Sequence, residues 1–209
     1  MHLARLRLDL RNKHVRRDLS NPYDMHRTLT RAFVRDEREA PPRFLWRLEP
    51  SDEWGAPTVL VQSTHAADWT KLDAMPGYLK QSVESKTFQL ENLLQPDTRY
   101  HFRLYANPTV TRVGKRYGLA AEQAQLAWLT RQGERYGFVV EAAFVAASDV
   151  LKGFRQNDAP IHLQRVHYEG MLRVVDIESM AKVLPNGIGP GKAFGCGLLS
   201  LKRDRREVG

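Results

Sequence analysis

Tyr23 and His26 stand three residues apart in the stretch SNPYDMHRTL, residues 20–29. Residues three apart share one face of a helix. The flanking residues make this stretch a helix start. Asn21 suits the N-cap, Pro22 the first helical position, and Asp24 the acid-favouring first turn. The positive end of the helix disfavours an imidazolium, so His26 is expected to be neutral and able to accept a proton near pH 7. The Tyr23 phenol can donate a hydrogen bond to an oxyanion or orient a phosphate. Arg27 and Arg31 repeat on the same helix at a spacing of four, and helix starts themselves attract phosphate. Together these groups suit proton transfer beside a bound phosphate. The same residues also make an ordinary capped helix whose Tyr and His pack or face solvent. Spacing alone does not choose between the two.

Two further stretches are built for anions. In PNGIGPGKAFGCGLL, Gly187, Gly189, Gly191, Gly195 and Gly197 recur around Lys192. Closely spaced glycines bring backbone amides near a phosphate, and the lysine adds charge. The stretch lacks the Lys-Ser/Thr end of a Walker loop. It follows a helix, whereas a dinucleotide fingerprint follows a strand. A tight helix-to-strand connection is the structural alternative. In DVLKGFRQNDAPIHLQR, Lys152, Arg155 and Arg165 flank a turn. That is a basic hairpin suited to a groove of structured RNA, or else a solvated hairpin.

Composition narrows the partners. The 209 residues carry a net charge of +8, and residues 1–38, with ten Lys/Arg against five Asp/Glu, supply +5 of it. Such a balance favours polyanions, nucleic acid before membrane. The single cysteine, Cys196, rules out an internal disulfide and reads as a small packing residue. No His/Cys grouping has zinc spacing, so neither metal nor cofactor is expected. The N-terminal alternation MHLARLRLDL is unlike a signal peptide, and no apolar run approaches a membrane span. A cytoplasmic protein is expected.

Positioning these groups falls to two sets of elements. HLARLRLDL alternates as a half-buried strand, with Leu6, Leu8 and Leu10 on one face. A basic linker, RNKHVRRDL, follows. A helix then runs from about Pro22 to Arg38, stopped by Pro41-Pro42. FLWRLEP and TVLVQST read as strands, DWTKLDAMPGYLK as a short helix and KTFQLE as a strand. Beyond the NLLQPD turn, residues 98–112 form a long alternating strand, and AAEQAQLAWLTRQGERYG a helix closed by Gly137. FVVEAAFVAASDVLKGF is a long strand or a bent pair, and IHLQRVHYEGMLRVVD has strand character on both sides of Glu169-Gly170. A short helix from Asp176 and a terminal strand LLSLKR complete the chain, with an extra hairpin placed within 149–170. Each half reads β-α-β-β-α-β, the ferredoxin-like order. The expectation is an α+β protein of two tandem ferredoxin-like domains, residues 1–91 and 98–209. The Gly-Phe-Gly-Phe signature of common single-strand RNA readers is absent.

The combination of RRDLSNPYDMHRTLTRAF, FLWRLEP, FRLYANPT with GKR, and GIGPGKAFGCGLLSL resembles the CasE family. These are the CRISPR RNA-processing endoribonucleases of type I-E systems, within the repeat-associated mysterious protein superfamily. The resemblance spans essentially the whole chain. It implies tandem ferredoxin-like domains that bind the hairpin of a CRISPR repeat and cut at the 3′ base of its stem without metal. The RNA 2′-hydroxyl attacks the adjacent phosphodiester, leaving a 2′,3′-cyclic phosphate and a 5′-hydroxyl. The product stays bound and the protein joins the other Cascade subunits. By the same resemblance His26 is the catalytic histidine, as base or acid, and Tyr23 its partner. Arg27 and Arg31 then contact phosphate, the basic hairpin corresponds to Lys152–Arg155, and the glycine-rich loop to Gly187–Gly197. A non-catalytic RNA-binding subunit is the alternative.

Overall fold

The computed structural model describes residues 1–204 apart from residue 37 and residues 51–54 and 155–160. Its contacts divide the chain into two units. The first comprises Met1–Phe88, Lys152–Ile161 and Ala193–Gly195; the second comprises Gln89–Leu151, His162–Lys192 and Cys196–Gly209.

The first unit runs β1 (His2–Arg7), α1 (Lys13–Ser20), α2 (Pro22–Thr30), a 3-10 turn (Arg31–Phe33), β2 (Phe44–Leu48), β3 (Thr58–Ser63), a second 3-10 segment (Trp69–Ala74) and β4 (Glu84–Thr87). Its sheet has the order β2-β3-β1-β4, and all its pairings are antiparallel. Ala4, Leu6 and Leu8 form the buried row of β1 and its extension, while Leu10 is exposed. They pack with Val59 and Val61 of β3 and with Met25 and Leu29 of α2. Met25 and Leu29 are four apart and set which side of α2 faces the sheet.

The expected basic linker is in fact helix α1. Asn12 caps it, accepting from the His14 and Val15 amides at 2.8 and 3.4 Å, and Val15 is buried beneath it. Polar sequence hid a helix whose exposed side is basic. The expected Pro22–Arg38 helix is also shorter. The Thr30 hydroxyl donates to the His26 carbonyl at 2.8 Å, a back-bond that strains regular helix, and the chain tightens to 3-10 at Arg31. A buried network ties the two helices together. Arg17 donates to the Asp18 carboxylate and to Thr28 of α2, and the Tyr78 hydroxyl donates to Asp18 at 2.8 Å. Burial, with Asp18 alongside, pushes the Tyr78 phenol well above its ordinary pKa.

The second unit has α3 (Leu90–Leu93), β5 (Arg99–Ala106), β6 (Thr109–Arg112), β7 (Lys115–Gly118), α4 (Glu122–Tyr136), most of β8 (Phe138–Gly153), β9 (Ile161–Val174), α5 (Ile177–Asn186), most of a 3-10 turn (Lys192–Phe194) and β10 (Leu199–Arg203). Its sheet has the order β10-β5-β9-β8. In both sheets the first strand lies between the fourth and third, with the second outside. With intervening helices that is the ferredoxin-like topology, present twice. The core joins Tyr100, Phe102 and Leu104 of β5 to Trp128 and Leu129 of α4 and Met180 and Leu184 of α5.

Two strand expectations change here. The long strand over 98–112 breaks at Asn107-Pro108, because proline cannot donate to the ladder. The residues beyond form a separate β6–β7 hairpin. It turns through Val113 and Gly114, both at positive φ, as in a two-residue I′ turn. The extra hairpin therefore lies at 109–118. Phe138–Gly153 and Ile161–Val174 are two long strands, with β9 running unbroken through Gly170. A Cβ there would sit 2.0 Å from the Ala142 carbonyl oxygen, so glycine permits close strand approach.

Candidate active site

His26 sits on the second turn of α2, half-buried, with its ring stacked on Phe44 of β2. The centroids are 4.8 Å apart and the planes 19° apart. Phe44 stacks in turn on Phe33 at 4.6 Å, and Trp69 meets Phe33 edge-on at 6.0 Å. His26 Nδ1 is buried with no hydrogen-bond partner among the described residues. Burial lowers the imidazole pKa to about 4, since an apolar surround opposes the charged form. The neutral histidine expected from the helix start is therefore present, but the cause is aromatic burial.

The start of α2 is fixed by Asn21. Its Oδ1 accepts from the Tyr23 amide at 3.3 Å, and its Nδ2 donates to Asp24 at 2.7 Å. The same side chain exchanges two bonds with the backbone of Phe154: the Phe154 N–H donates to Oδ1 at 3.2 Å, and Nδ2 donates to the Phe154 carbonyl at 3.0 Å. The capping residue thus holds both the helix start and the end of β8. Tyr23 is half-buried one turn before His26.

Around this centre the glycine-rich stretch contributes Phe194 and Gly195. A Cβ on Gly153 would meet the Phe194 ring at 2.5 Å, and one on Gly195 would lie 3.0 Å from Trp46. Gly195 has φ +78, so glycine there serves both the left-handed backbone and the close seat on the indole. Trp46 and Phe44, two apart on β2, share a face.

Of the other expected contacts, Arg27, Arg31, Arg165 and Lys192 are engaged with protein groups. Arg27 pairs with Asp24 at 3.0 Å, and Arg31 reaches the Met75 sulfur at 3.8 Å. Lys152 is exposed at the end of β8 in the first unit, and Arg155 lies outside the described residues. In the second unit, Arg165 forms a two-pronged pair with Asp149 at 3.0 and 2.6 Å, 5.9 Å over the Tyr105 ring. There too Lys192 donates to the Gly189 carbonyl at 2.6 Å, closing the loop that includes Gly187, Gly189 and Gly191. Gly189 itself lies under Trp128, 3.0 Å from where a Cβ would stand. Cys196 is fully buried, which pushes its thiol up to about 12 and suits a packing residue.

Sequence reasoning missed the aromatic stack and the double role of Asn21. The alternation of Phe44, Trp46 and Leu48 was the available signal that Phe44 faces the core side of β2, but nothing local paired it with His26. Nothing local marked Phe154 as the partner of Asn21, 133 residues away.

Fold and site together define a tandem ferredoxin-like protein with a desolvated histidine at a capped helix start. A model of the family described as "CRISPR associated protein" matches residues 1–203. The CRISPR-associated endoribonuclease Cse3 of Thermus thermophilus is 40% identical over 96% of this chain and 99% of its own. The CRISPR system Cascade subunit CasE of Escherichia coli K12 is 30% identical over 86% of this chain and 90% of its own. The structure of Thermus thermophilus Cse3 bound to an RNA representing a pre-cleavage complex superposes with a TM-score of 0.86, at 39% identity, covering 96% of this chain and 98% of that one. The chain belongs to the CRISPR associated protein family.

Proposed function

We propose that the protein is a metal-independent endoribonuclease that binds the hairpin of a CRISPR repeat, cuts at the 3′ base of its stem and remains on the product as a Cascade subunit in the cytoplasm. The observation that carries the reading is His26: a neutral imidazole near a capped helix start, in a relative of a named endoribonuclease. The resemblance to Cse3 bound to RNA, over nearly the whole of both chains, supports RNA as the substrate. Among the described residues no helix is long and apolar enough to cross a membrane.

In this reading the RNA 2′-hydroxyl is the nucleophile. Its oxygen bonds to the adjacent phosphorus as the bond to the 5′-oxygen breaks. Neutral His26 takes the 2′-proton, or protonated His26 supplies one to the leaving oxygen. Tyr23 orients the phosphate. Residues 1–91 carry the catalytic helix start, and residues 98–209 supply RNA contacts through Arg165, Lys192 and the glycine-rich loop. Lys152, Arg155, Arg27 and Arg31 add phosphate contacts, with Arg27 exchanging its Asp24 pairing for RNA.

The test is cleavage of a repeat-hairpin RNA in EDTA by wild type and His26→Ala. Wild type is expected to cut and the variant to lose cutting while retaining binding. A 2′-deoxy nucleotide on the 5′ side of the scissile phosphate is expected to block cutting by wild type. An inert wild type, a fully active variant, or continued cutting of the 2′-deoxy RNA each overturns the part of the reading it addresses.

A further inference from the structure

The aromatic stack behind His26 continues into a cleft. Phe33, two rings from His26, forms one wall and Trp69 another. The volume is about 110 Å³. That is room for three or four waters at about 30 Å³ each, the scale of a single heterocyclic ring. The cleft adjoins β2, whose Phe44 backs His26, by a second route. Ser63 lines it and pairs directly with Phe44 in the β2–β3 register, and His2, also in the lining, pairs with Ser63 from β1. Phe44, Ser63 and His2 therefore form one row across the sheet.

The chemistry of the lining is selective. Among the described residues it contains no Lys, Arg, Asp or Glu, in a chain of net charge +8. A phosphate finds no counter-charge there. What it offers is aromatic surface from Phe33 and Trp69, together with polar edges from His2, Ser63 and His65. Each imidazole is held through Nδ1, His65 by Thr64 at 3.0 Å and His2 by Thr87 at 3.3 Å. That fixes each ring with Nε2 as its other polar atom. Ser63 is pinned between the Arg43 carbonyl and the His65 amide. A neutral planar ring with hydrogen-bonding edges fits this set, and splayed single-stranded bases are recognised in this way.

We propose that this cleft receives the base of one unpaired nucleotide beside the scissile phosphate, and so helps set the position of the cut. The proposal rests on the reading of the chain as an RNA nuclease. The base lodges against Trp69 and Phe33, with His65, His2 and Ser63 meeting its edge. Stem pairing fixes the hairpin, and the captured base fixes the strand leaving it, so the phosphate between them is held against His26.

The test uses a repeat-hairpin RNA made uncleavable by the 2′-deoxy substitution, so that the readout is affinity and not catalysis. An abasic site is placed in turn at each unpaired nucleotide flanking the scissile position. Kd is measured for wild type, Trp69→Ala and His65→Ala. At one position the abasic RNA is expected to bind wild type on the order of tenfold more weakly. Trp69→Ala is expected to lose a similar factor on the intact RNA and nothing further on that abasic RNA. His65, exposed on its loop, gives the same cycle if Trp69→Ala fails to fold. Abasic RNAs that all bind like the parent overturn the proposal. So do losses that multiply, because they place base and cleft at independent sites. A wild type that binds but does not cut the all-ribose RNA sinks the nuclease reading and leaves this measurement standing.

Discussion

The burial of His26 makes the acid side of the rate profile diagnostic. An ordinary imidazole with a pKa near 6.5 is about 9% neutral at pH 5.5. With a pKa of about 4, His26 is still about 97% neutral at that pH. If His26 is the base that removes the 2′-proton, kcat/KM should hardly change between pH 7.5 and 5.5, where an ordinary imidazole would lose about tenfold. The profile of kcat/KM reports the free enzyme, which is the state described here. If His26 is instead the acid, its protonated fraction grows about tenfold per pH unit on acidification. The rate should then climb steeply from pH 7 toward pH 4. The assay is cleavage of a repeat hairpin at substrate well below KM, in EDTA, at constant ionic strength, with hairpin integrity followed in parallel. A flat profile assigns the base and a rising one the acid. A profile that falls with a midpoint near 6.5 refutes the reasoning, because it means that the stack on Phe44 does not exclude solvent from the ring.

The same burial affects stability. The folded pKa lies below the unfolded value, so the unfolded chain binds the extra proton and stability falls as pH drops from about 6.5 to 4. The full shift is worth about 3 kcal/mol. Urea unfolding of wild type should therefore steepen with acid more than that of His26→Gln, and equal slopes would contradict it. Replacing Asn21 by Ala should cost about 1–2 kcal/mol and slow cleavage, because the helix cap and both Phe154 bonds go together. Asn21→Asp should fail to restore wild type, since it keeps the cap oxygen but loses the donor and faces Asp24. Gly195→Ala should destabilise more than Gly114→Ala. Both have positive φ, but a Cβ on Gly195 would meet an indole at 3.0 Å, while one on Gly114 would meet nothing within 4 Å among the described residues. Equal losses would remove the contact with Trp46 from the account. Repeat RNA affinity should fall by about 10³ between 50 and 200 mM salt if five or six phosphates are neutralised, and a flat response would rule out the phosphate groove.

The fold was legible wherever hydrophobic period and turn chemistry agreed. Leu6 and Leu8, the Phe44 and Thr58 strands and the α4 helix closed by Gly137 all stand where their patterns place them. Helix α1 was hidden because three of its eight residues are Lys or Arg, and its buried anchors are only Val15 and Asp18. The β6–β7 turn was hidden because Val113 adopts a positive φ, which β-branched residues rarely do. At the site, local sequence carried the cap, the Tyr23–His26 spacing and the neutral histidine. It did not carry the agent of that neutrality, because Phe44 reaches the ring only through tertiary packing. Arg27 and Arg165 read as free cations in sequence, yet they face Asp24 and Asp149 in the fold. Asp24 is a cap-turn residue and Asp149 is a neighbour across two strands, and charge counting cannot see either pairing.

The composition of the first unit bears on how this chain can be cut. Its three segments are separated in sequence by more than sixty residues in one case and about thirty in the other, counted from Met1–Phe88, Lys152–Ile161 and Ala193–Gly195. A fragment ending near residue 91 would keep the strands and helices of that unit but lose the Phe154 backbone that answers Asn21 and the glycine that seats on Trp46. Gene halves expressed separately would therefore not regenerate the histidine site by simple mixing of two finished pieces. The start of α2 therefore depends on backbone encoded 133 positions downstream of its capping residue.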